Sequence, residues 1–402
     1  PTLLANPRLD FPPGINFEPW FNFHNDLARE LDGLASYLTG AEEFVPVAVL
    51  YPLRTYWHAG PDHPFNVESA WWHRRLTEHA YPFDIVDERQ LLAGDLALRS
   101  VNSQPAGYQI LILPGVEIVA DRSFVDQLNR FVAAGGLVMA SGPLPLGSQA
   151  TGRDRELADR VLALFRDSNR AVHLPSVSDA KDFESRVDRW LAETVSRPVR
   201  FNHSGCAAGP LWTWAGQEDG GWRLAMFNDS REDRRVEMEV QGCGLIPEMR
   251  PLDGSRTKDW GWFEWTASMT RAWVDLPPNG LSCIRFRPAE PCSPQRPRLV
   301  KVSSRAGRGW AYRNGPDGLK ARFITHRQGT VIFEVVSPQE PIVKAPAAIR
   351  RIDSLAQGRW AVSIDPGPMP ETVELSSNWT FRADGEKDSR PIDVRFGWEE
   401  LQ

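Results

Sequence analysis

No stretch of about 18 apolar residues occurs in the 402-residue chain, so no helix is expected to cross a membrane. Positive charge is not in surplus either. Lys and Arg total 46 against 52 acidic residues, a net charge of −6. Without a basic block, no nucleic-acid partner is expected on electrostatic grounds. Lys itself is rare, six residues among those 46, an imbalance that reads as genomic base composition rather than chemistry. Cysteine is sparse: Cys206, Cys243, Cys283 and Cys292 show no C-x-x-C spacing. A small disulfide scaffold is thereby excluded. Free thiols are expected, with a Cys206–Cys243 or Cys283–Cys292 bridge as the alternative. Nucleotide and metalloprotease signatures are also missing: no G-x-G-x-x-G, no Walker sequence and no H-E-x-x-H.

What is present is an ordinary globular composition, 42% apolar and 24% charged, long enough for two to three domains at about 150 residues each. The 16 Trp have two readings: platforms for sugar rings, or filling for large β cores. Residues 1–43 hold a Pro- and Gly-rich loop and one helix. Leu27, Leu31, Leu34 and Leu38 recur at helical spacing, and Gly40 stands at the C-cap position. Such a stripe needs a partner, expected in a preceding segment or in the next domain. Over 44–197 apolar runs alternate with helical periods: Val45–Tyr51, Phe83–Val86, Tyr108–Leu113, Leu137–Ala140 and Ala171–Leu174 as strands. Runs apolar on successive residues suit a parallel sheet covered on both faces, so a doubly wound α/β domain is expected. Tyr108–Leu113 and Leu137–Ala140 should lie adjacent to its core. From 198 the period becomes two, as in Val236, Met238 and Val240, giving a β-sandwich over 198–290. A Pro-rich link leads to a second β domain over 297–370, and 371–402 begins a further unit. The chain starts at Pro1 without Met and ends in strand-like residues, so it is expected to be a piece of a longer polypeptide.

In a doubly wound sheet ligands sit outside the carboxyl ends of the strands. The segment after the first strand, Pro52 to His58 followed by Asp62-His63-Pro64, is expected to be a loop and combines aromatic and polar groups. Trp57 and His58 are therefore candidate substrate-lining residues, and packing on a neighbouring domain is the alternative. Asp87-Glu88 is either a carboxylate pair or a helix cap. Ser141-Gly142 lacks the G-x-S-x-G of a nucleophile elbow because Met139 breaks it. The region resembles a glutamine amidotransferase in strand order, but no Cys precedes 206, which excludes thiol chemistry. His203 and Cys206 are too few for a metal site. Nothing fixes the spaced carboxylate pair of a glycosidase.

The order of parts carries a resemblance. Phe11-Pro12-Pro13-Gly14-Ile15-Asn16-Phe17-Glu18-Pro19-Trp20, a helix, then Pro46 to Pro52 resembles large glycoside hydrolases, most closely the α-L-rhamnosidase type of glycoside hydrolase family 106. Leu111 to Gly115 and Gly135 to Val138 are similar to the amidotransferase-like domain of such enzymes. Phe227-Asn228-Asp229-Ser230, Asp253-Gly254 and Leu276 to Gly280 resemble the sandwich that follows. Trp379-Thr380-Phe381 with Trp398 resembles a truncated galactose-binding-like jelly roll over 371–402. β-Galactosidases with a trimerisation domain share several of these features. The resemblance implies a multidomain fold of amidotransferase-like (flavodoxin-like) α/β plus all-β sandwiches, and a glycan partner. It also implies no cofactor in this chain, calcium in the parent enzyme, and a homo-oligomer. Residues 1–43 would be the last loop and helix of a (β/α) barrel. Glu18, Trp20 and His24 would then lie on its substrate face, with Trp20 stacking on a sugar and Glu18 accepting from hydroxyls. The alternative is that Trp20 seals the barrel against the next domain. Catalytic residues are expected upstream of Pro1, so this chain alone is expected to be inactive. A non-catalytic carbohydrate-binding or oligomerisation scaffold is the alternative. A bacterial source, with secretion or a periplasmic setting, is the expected context.

Overall fold

Val47-Ala48-Val49-Leu50 carries no polar side chain, and in the computed structural model all four are buried in strand β2 (Val47–Tyr51). The structure describes residues 23–60, 63, 65–93, 107–177, 182–204, 210–242, 244–252, 257–289, 298–303, 307–315, 318–325, 330–337, 349–355, 359–365, 379–381 and 390–392. Strand β2 lies inside a five-stranded parallel sheet with β3 (Phe83–Asp87), β4 (Ile110–Pro114), β6 (Leu137–Ser141) and β9 (Ala171–Leu174). The order β3-β2-β4-β6-β9 is the flavodoxin-like winding. All four pairings are parallel, and Ile110 to Leu113 of β4 and Val138 to Ala140 of β6 are buried in the core, as expected from their sequences; the two strands also pair with each other.

Alternation along each strand separates two apolar layers. Ala48, Leu50, Leu111, Leu113, Val138 and Ala140 meet α5 (Ser123–Ala133) and α6 (Arg155–Asp167) through Phe124, Leu128, Phe131, Leu157 and Val161. Val47, Val49, Ile110, Ile112 and Met139 meet α3 (Phe65–Glu78) and α7 (Phe183–Thr194) through Trp71, Trp72, Leu76, Phe183 and Val187. Helix α6 starts on Asp154, whose carboxylate accepts from the Leu157 N–H at 3.0 Å and from Arg122 at 2.8 and 3.0 Å. The segment after β2 is a short helix, α2 (Leu53–Ala59), rather than the loop that its polar and aromatic mix implies. A second short helix, α4 (Glu88–Ala93), follows β3, and the strands β5 (Ile118–Val119), β7 (Gly147–Ser148) and β8 (Gly152–Arg153) make a small separate sheet.

The antiparallel part is two sheets face to face. One runs β1-β11-β12-β18-β14-β15, with β1 (Glu42–Glu43), β11 (Leu211–Glu218), β12 (Gly221–Asn228), β14 (Leu245–Met249), β15 (Lys258–Asp259) and β18 (Leu281–Pro288). The other runs β10-β13-β17-β16, with β10 (Val199–Ser204), β13 (Arg234–Gln241), β16 (Phe263–Trp265) and β17 (Met269–Leu276). Leu224, Met226, Ile284 and Phe286 from the first and Val236, Met238, Ala272 and Val274 from the second close one core. A further four-stranded sheet, β19-β22-β24-β23, joins the same apolar cluster through Leu299, Phe333, Val335 and Val362. Its strands are β19 (Arg298–Ser303), β22 (Val331–Val336), β23 (Ile349–Ser354) and β24 (Arg359–Asp365). Two hairpins, β20–β21 (Gly307–Gly315, Gly318–Thr325) and β25–β26 (Trp379–Phe381, Arg390–Ile392), complete the described strands. The rest of the 371–402 unit lies outside the described residues.

Helix α1 (His24–Leu38) does not find its partner in the α/β domain. It lies on the outer face of the six-stranded sheet, where Leu34, Tyr37 and Leu38 pack with Ala225, Cys283, Trp214 and Leu252. The Tyr37 hydroxyl accepts from the Leu224 N–H at 3.2 Å and donates to the Leu224 carbonyl at 3.3 Å. Leu27 and Leu31, expected in the buried stripe, are exposed. The sheet reaches only the C-terminal half of the helix. Cys283 is a free, buried thiol, which removes the Cys283–Cys292 bridge, and burial pushes its pKa up to about 12. Cys206, Cys243 and Cys292 lie outside the described residues.

Candidate functional site: the carboxyl edge of the parallel sheet

The winding reverses between β2 and β4, and a doubly wound sheet binds its ligand in the crevice that opens there. Here an aromatic plug fills it. Phe65, the first residue of α3, is buried and meets Tyr51 and Tyr56 edge-on, with ring centroids 6.3 and 5.8 Å away. Gly115, just past β4, takes a left-handed φ of +60°. A Cβ there would stand 2.8 Å from the Phe65 Cα, so glycine is what lets the two backbones meet. His63 braces the plug: its Nδ1 accepts from the Phe65 N–H at 3.1 Å, while Nε2 faces Glu117 at 3.3 Å.

Around the plug the polar groups brace loops. Thr55, fully buried in α2, accepts from the N–H groups of Glu117 and Ile118 at 3.1 and 3.0 Å. Arg54 binds Glu88 at 2.7 Å and Gln149 at 2.8 Å. Glu88 also accepts from the Ala120 N–H, yet burial outweighs both partners and holds its pKa above the usual carboxylate range. Asp87 turns the other way and accepts from the N–H groups of Arg89 and Gln90. The Arg89 side chain, with these N–H groups, lowers its pKa. Asp87 and Glu88 are thus a helix-capping residue and a loop anchor, not a catalytic pair.

On the α3–α7 side, Ser141 ends β6 fully buried, and its hydroxyl accepts from the Trp72 indole at 2.9 Å. Among the described residues no imidazole or carboxylate is hydrogen-bonded to that hydroxyl, so none of them activates it as a nucleophile. Beside it lies Glu68, fully buried, accepting from the Ser176 hydroxyl and from the Val177 N–H at 3.0 Å. Among the described residues its second oxygen has no hydrogen-bond partner. Gly142 has a φ of +70°, and a Cβ there would stand 3.2 Å from that carboxylate, so a larger residue would displace it. Among the described residues no group of three His, Cys, Asp or Glu is assembled for a metal ion.

Of the residues singled out from sequence, Trp57 and His58 fall in the last turn of α2, both exposed. They stand in the same short helix whose Arg54 and Thr55 make the contacts just described. His24 opens α1, on the sandwich side of the molecule, and so is not brought together with them. Glu18 and Trp20 lie outside the described residues, as do Cys206 and the His203 side chain. Phe65 and Glu68 were not among the sequence candidates. Their signal was spacing: Phe65, Glu68, Trp72 and Leu76 share one helical face, which sets a carboxylate inside an apolar stripe.

No family model matches the chain. No curated protein matches it either. Solved structures do. The chain is similar to a rhamnosidase from Novosphingobium sp. PP1Y, at TM-score 0.48 and 12% identity over 86% of this chain. It is also similar to Gan42B, a GH42 beta-galactosidase from G. stearothermophilus, at TM-score 0.46 and 11% identity over 68% of this chain. A beta-galactosidase from Bacillus circulans sp. alkalophilus gives TM-score 0.43 and 14% identity over 68%. The chain spans 37%, 44% and 46% of these three proteins' lengths.

Proposed function

We propose that this chain is a supporting, non-catalytic part of a glycoside hydrolase of α-L-rhamnosidase type. The observation that carries the reading is the plugged crevice: the place where a flavodoxin-like sheet binds ligands is filled by Phe65. A domain so filled serves as a structural block inserted in the chain between the first and the remaining elements of the sandwich. The sequence order of helix, α/β domain and sandwich, with its resemblance to that enzyme type, supplies the substrate class. Calcium and a glycan substrate belong to the parent enzyme in this reading.

Two assays test it. The full-length gene product and this chain alone are each offered an aryl α-L-rhamnoside and an aryl β-galactoside. Hydrolysis of the rhamnoside by the full-length product only is the expected result. Turnover by this chain alone overturns the non-catalytic assignment. Cleavage of the galactoside alone moves the parent to the β-galactosidase type.

A further inference from the structure

The outer face of the six-stranded sheet is made of cross-strand rows. In one row Trp214, Ala225 and Cys283 stand side by side on β11, β12 and β18, and α1 covers them. The next row on the same face is Trp212, Phe227 and Leu281. Its ends are open to solvent: Trp212 is 50% exposed and Leu281 40%. At the usual strand spacing this row is about 10 Å across, with α1 as a wall along one side. Single exposed apolar residues need no explanation, but three in register form a patch.

The indole is also fixed. Trp212 donates its ring N–H to Asp229 at 3.1 Å. Asp229 is in turn held by its own N–H on the Pro210 carbonyl at 3.2 Å. The adjoining Asn228 is fully buried and donates to the carbonyls of Glu232, Pro277 and Leu276 at 2.8, 2.9 and 3.3 Å. Ser230 closes the turn on the Asn228 side-chain oxygen at 2.8 Å. The turn is therefore rigid, and a large flat ring is presented to solvent in one orientation with an exposed carboxylate at its rim.

We propose that the Trp212–Phe227–Leu281 row binds carbohydrate. A pyranose has an apolar C–H face and a rim of hydroxyls. The face would stack on Trp212, and the Asp229 carboxylate would accept from the rim. A phosphate or other anion is disfavoured, because the cations two rows away, Arg223 and Arg285, are committed to Glu218. A second protein is disfavoured by size: three residues offer far less than the roughly 800 Å² per partner of a stable interface. The inference rests on the carbohydrate-active reading above for its ligand class, but not on catalysis.

The test is affinity electrophoresis of the purified chain through gels containing galactan, arabinogalactan, rhamnogalacturonan or xylan, with serum albumin as reference. Retardation in at least one gel is expected. Trp212→Ala should weaken it about tenfold, or about 1.4 kcal/mol, while Trp212→Phe retains most of it. Leu281→Asn, at an exposed position that does not threaten folding, should weaken it too. Trp57→Ala, at the other exposed indole among the described residues, should leave it unchanged, and melting curves should match throughout. Absence of retardation in every gel overturns the proposal, as does retardation that survives Trp212→Ala or is lost with Trp57→Ala. A dimer that Trp212→Ala dissociates, without glycan retardation, overturns it in favour of a second copy. Hydrolase activity of the full-length product is scored separately. Activity without retardation sinks only this site, and retardation without activity sinks only the hydrolase reading.

Discussion

Gly33 stands in the middle of α1, where replacing glycine by alanine ordinarily stabilises a helix by about 0.5–1 kcal/mol. Here the sign should reverse. A Cβ on Gly33 would lie 2.5 Å from the Leu252 carbonyl oxygen, 3.3 Å from its carbonyl carbon and 3.4 Å from its Cα. All three are backbone atoms, so no rotamer change makes room. A carbon–oxygen contact settles near about 3.3 Å, so α1 must withdraw from the sheet by roughly 0.8 Å. A gap of that size forfeits a quarter to a half of the dispersion energy of the contacts it opens. Those contacts are Leu34, Tyr37 and Leu38 on Ala225, Cys283 and Trp214. Overpacking of this kind costs about 1–3 kcal/mol. Less the helix-propensity gain, Gly33→Ala should destabilise by about 0.5–2 kcal/mol, or about 2–4 °C per kcal/mol in a unit of this size. Calorimetry follows the sandwich transition, and hydrogen exchange of the α1 amides reports the docking itself. Ala35→Gly, at an exposed position of the same helix, provides the propensity scale. If Gly33→Ala raises the melting temperature and slows α1 exchange, the close approach of α1 to residue 252 is wrong.

Ser141→Ala should cost about 1–3 kcal/mol, because it leaves the buried Trp72 indole N–H without an acceptor. Chemical denaturation measures it, and an unchanged midpoint would show that the indole has another partner. Asp154 gives a pH test. Arg122, with the Leu157 N–H, holds its carboxyl at about 2, below the usual value of 3.8. Its contribution to stability is therefore complete above about pH 4 and lost as pH falls through about 2. In Asp154→Asn the melting temperature should fall below that of the parent at neutral pH. The two curves should converge as pH drops to about 2, and a constant offset would remove Asp154 from the acid limb.

The parallel sheet was legible in the sequence because its strands are apolar on successive residues, a pattern that only a doubly covered sheet tolerates. The sandwich strands were legible for the opposite reason, the strict alternation of Val236, Met238 and Val240 with polar neighbours. Helix α2 was not legible. It is 7 residues long and begins after Pro52, and its Arg54 and Thr55 face inward for hydrogen bonds rather than for apolar contact. The partner of α1 was missed because the contact is distant in sequence: Tyr37 and Leu224 are 187 residues apart. The plug at the crevice failed to show for the same reason. Phe65 next to Gly115, and Glu68 next to Ser176, are meetings of segments far apart in the chain, which local periodicity does not report. The aromatic-rich Trp57–His58 segment drew attention by composition, whereas burial passed over both residues.

Strand β1 pairs with β11, and α1 lies on β12 and β18, so both belong physically to the sandwich although they precede the parallel sheet in the chain. The sandwich is therefore written in two instalments, with residues 47–194 between them. Phe44 and Val199, at the seam, sit in the same apolar cluster. During synthesis at about 5–20 residues per second, α1 emerges roughly 10–40 s before β11 and β12 exist to receive it. Through that interval its apolar face, Tyr37 included, has no sheet to rest on, while the parallel sheet between the instalments can already close. The nascent chain thus carries a sticky helix ahead of a finished domain. Chaperone demand on this protein should concentrate in that window rather than on either folded unit.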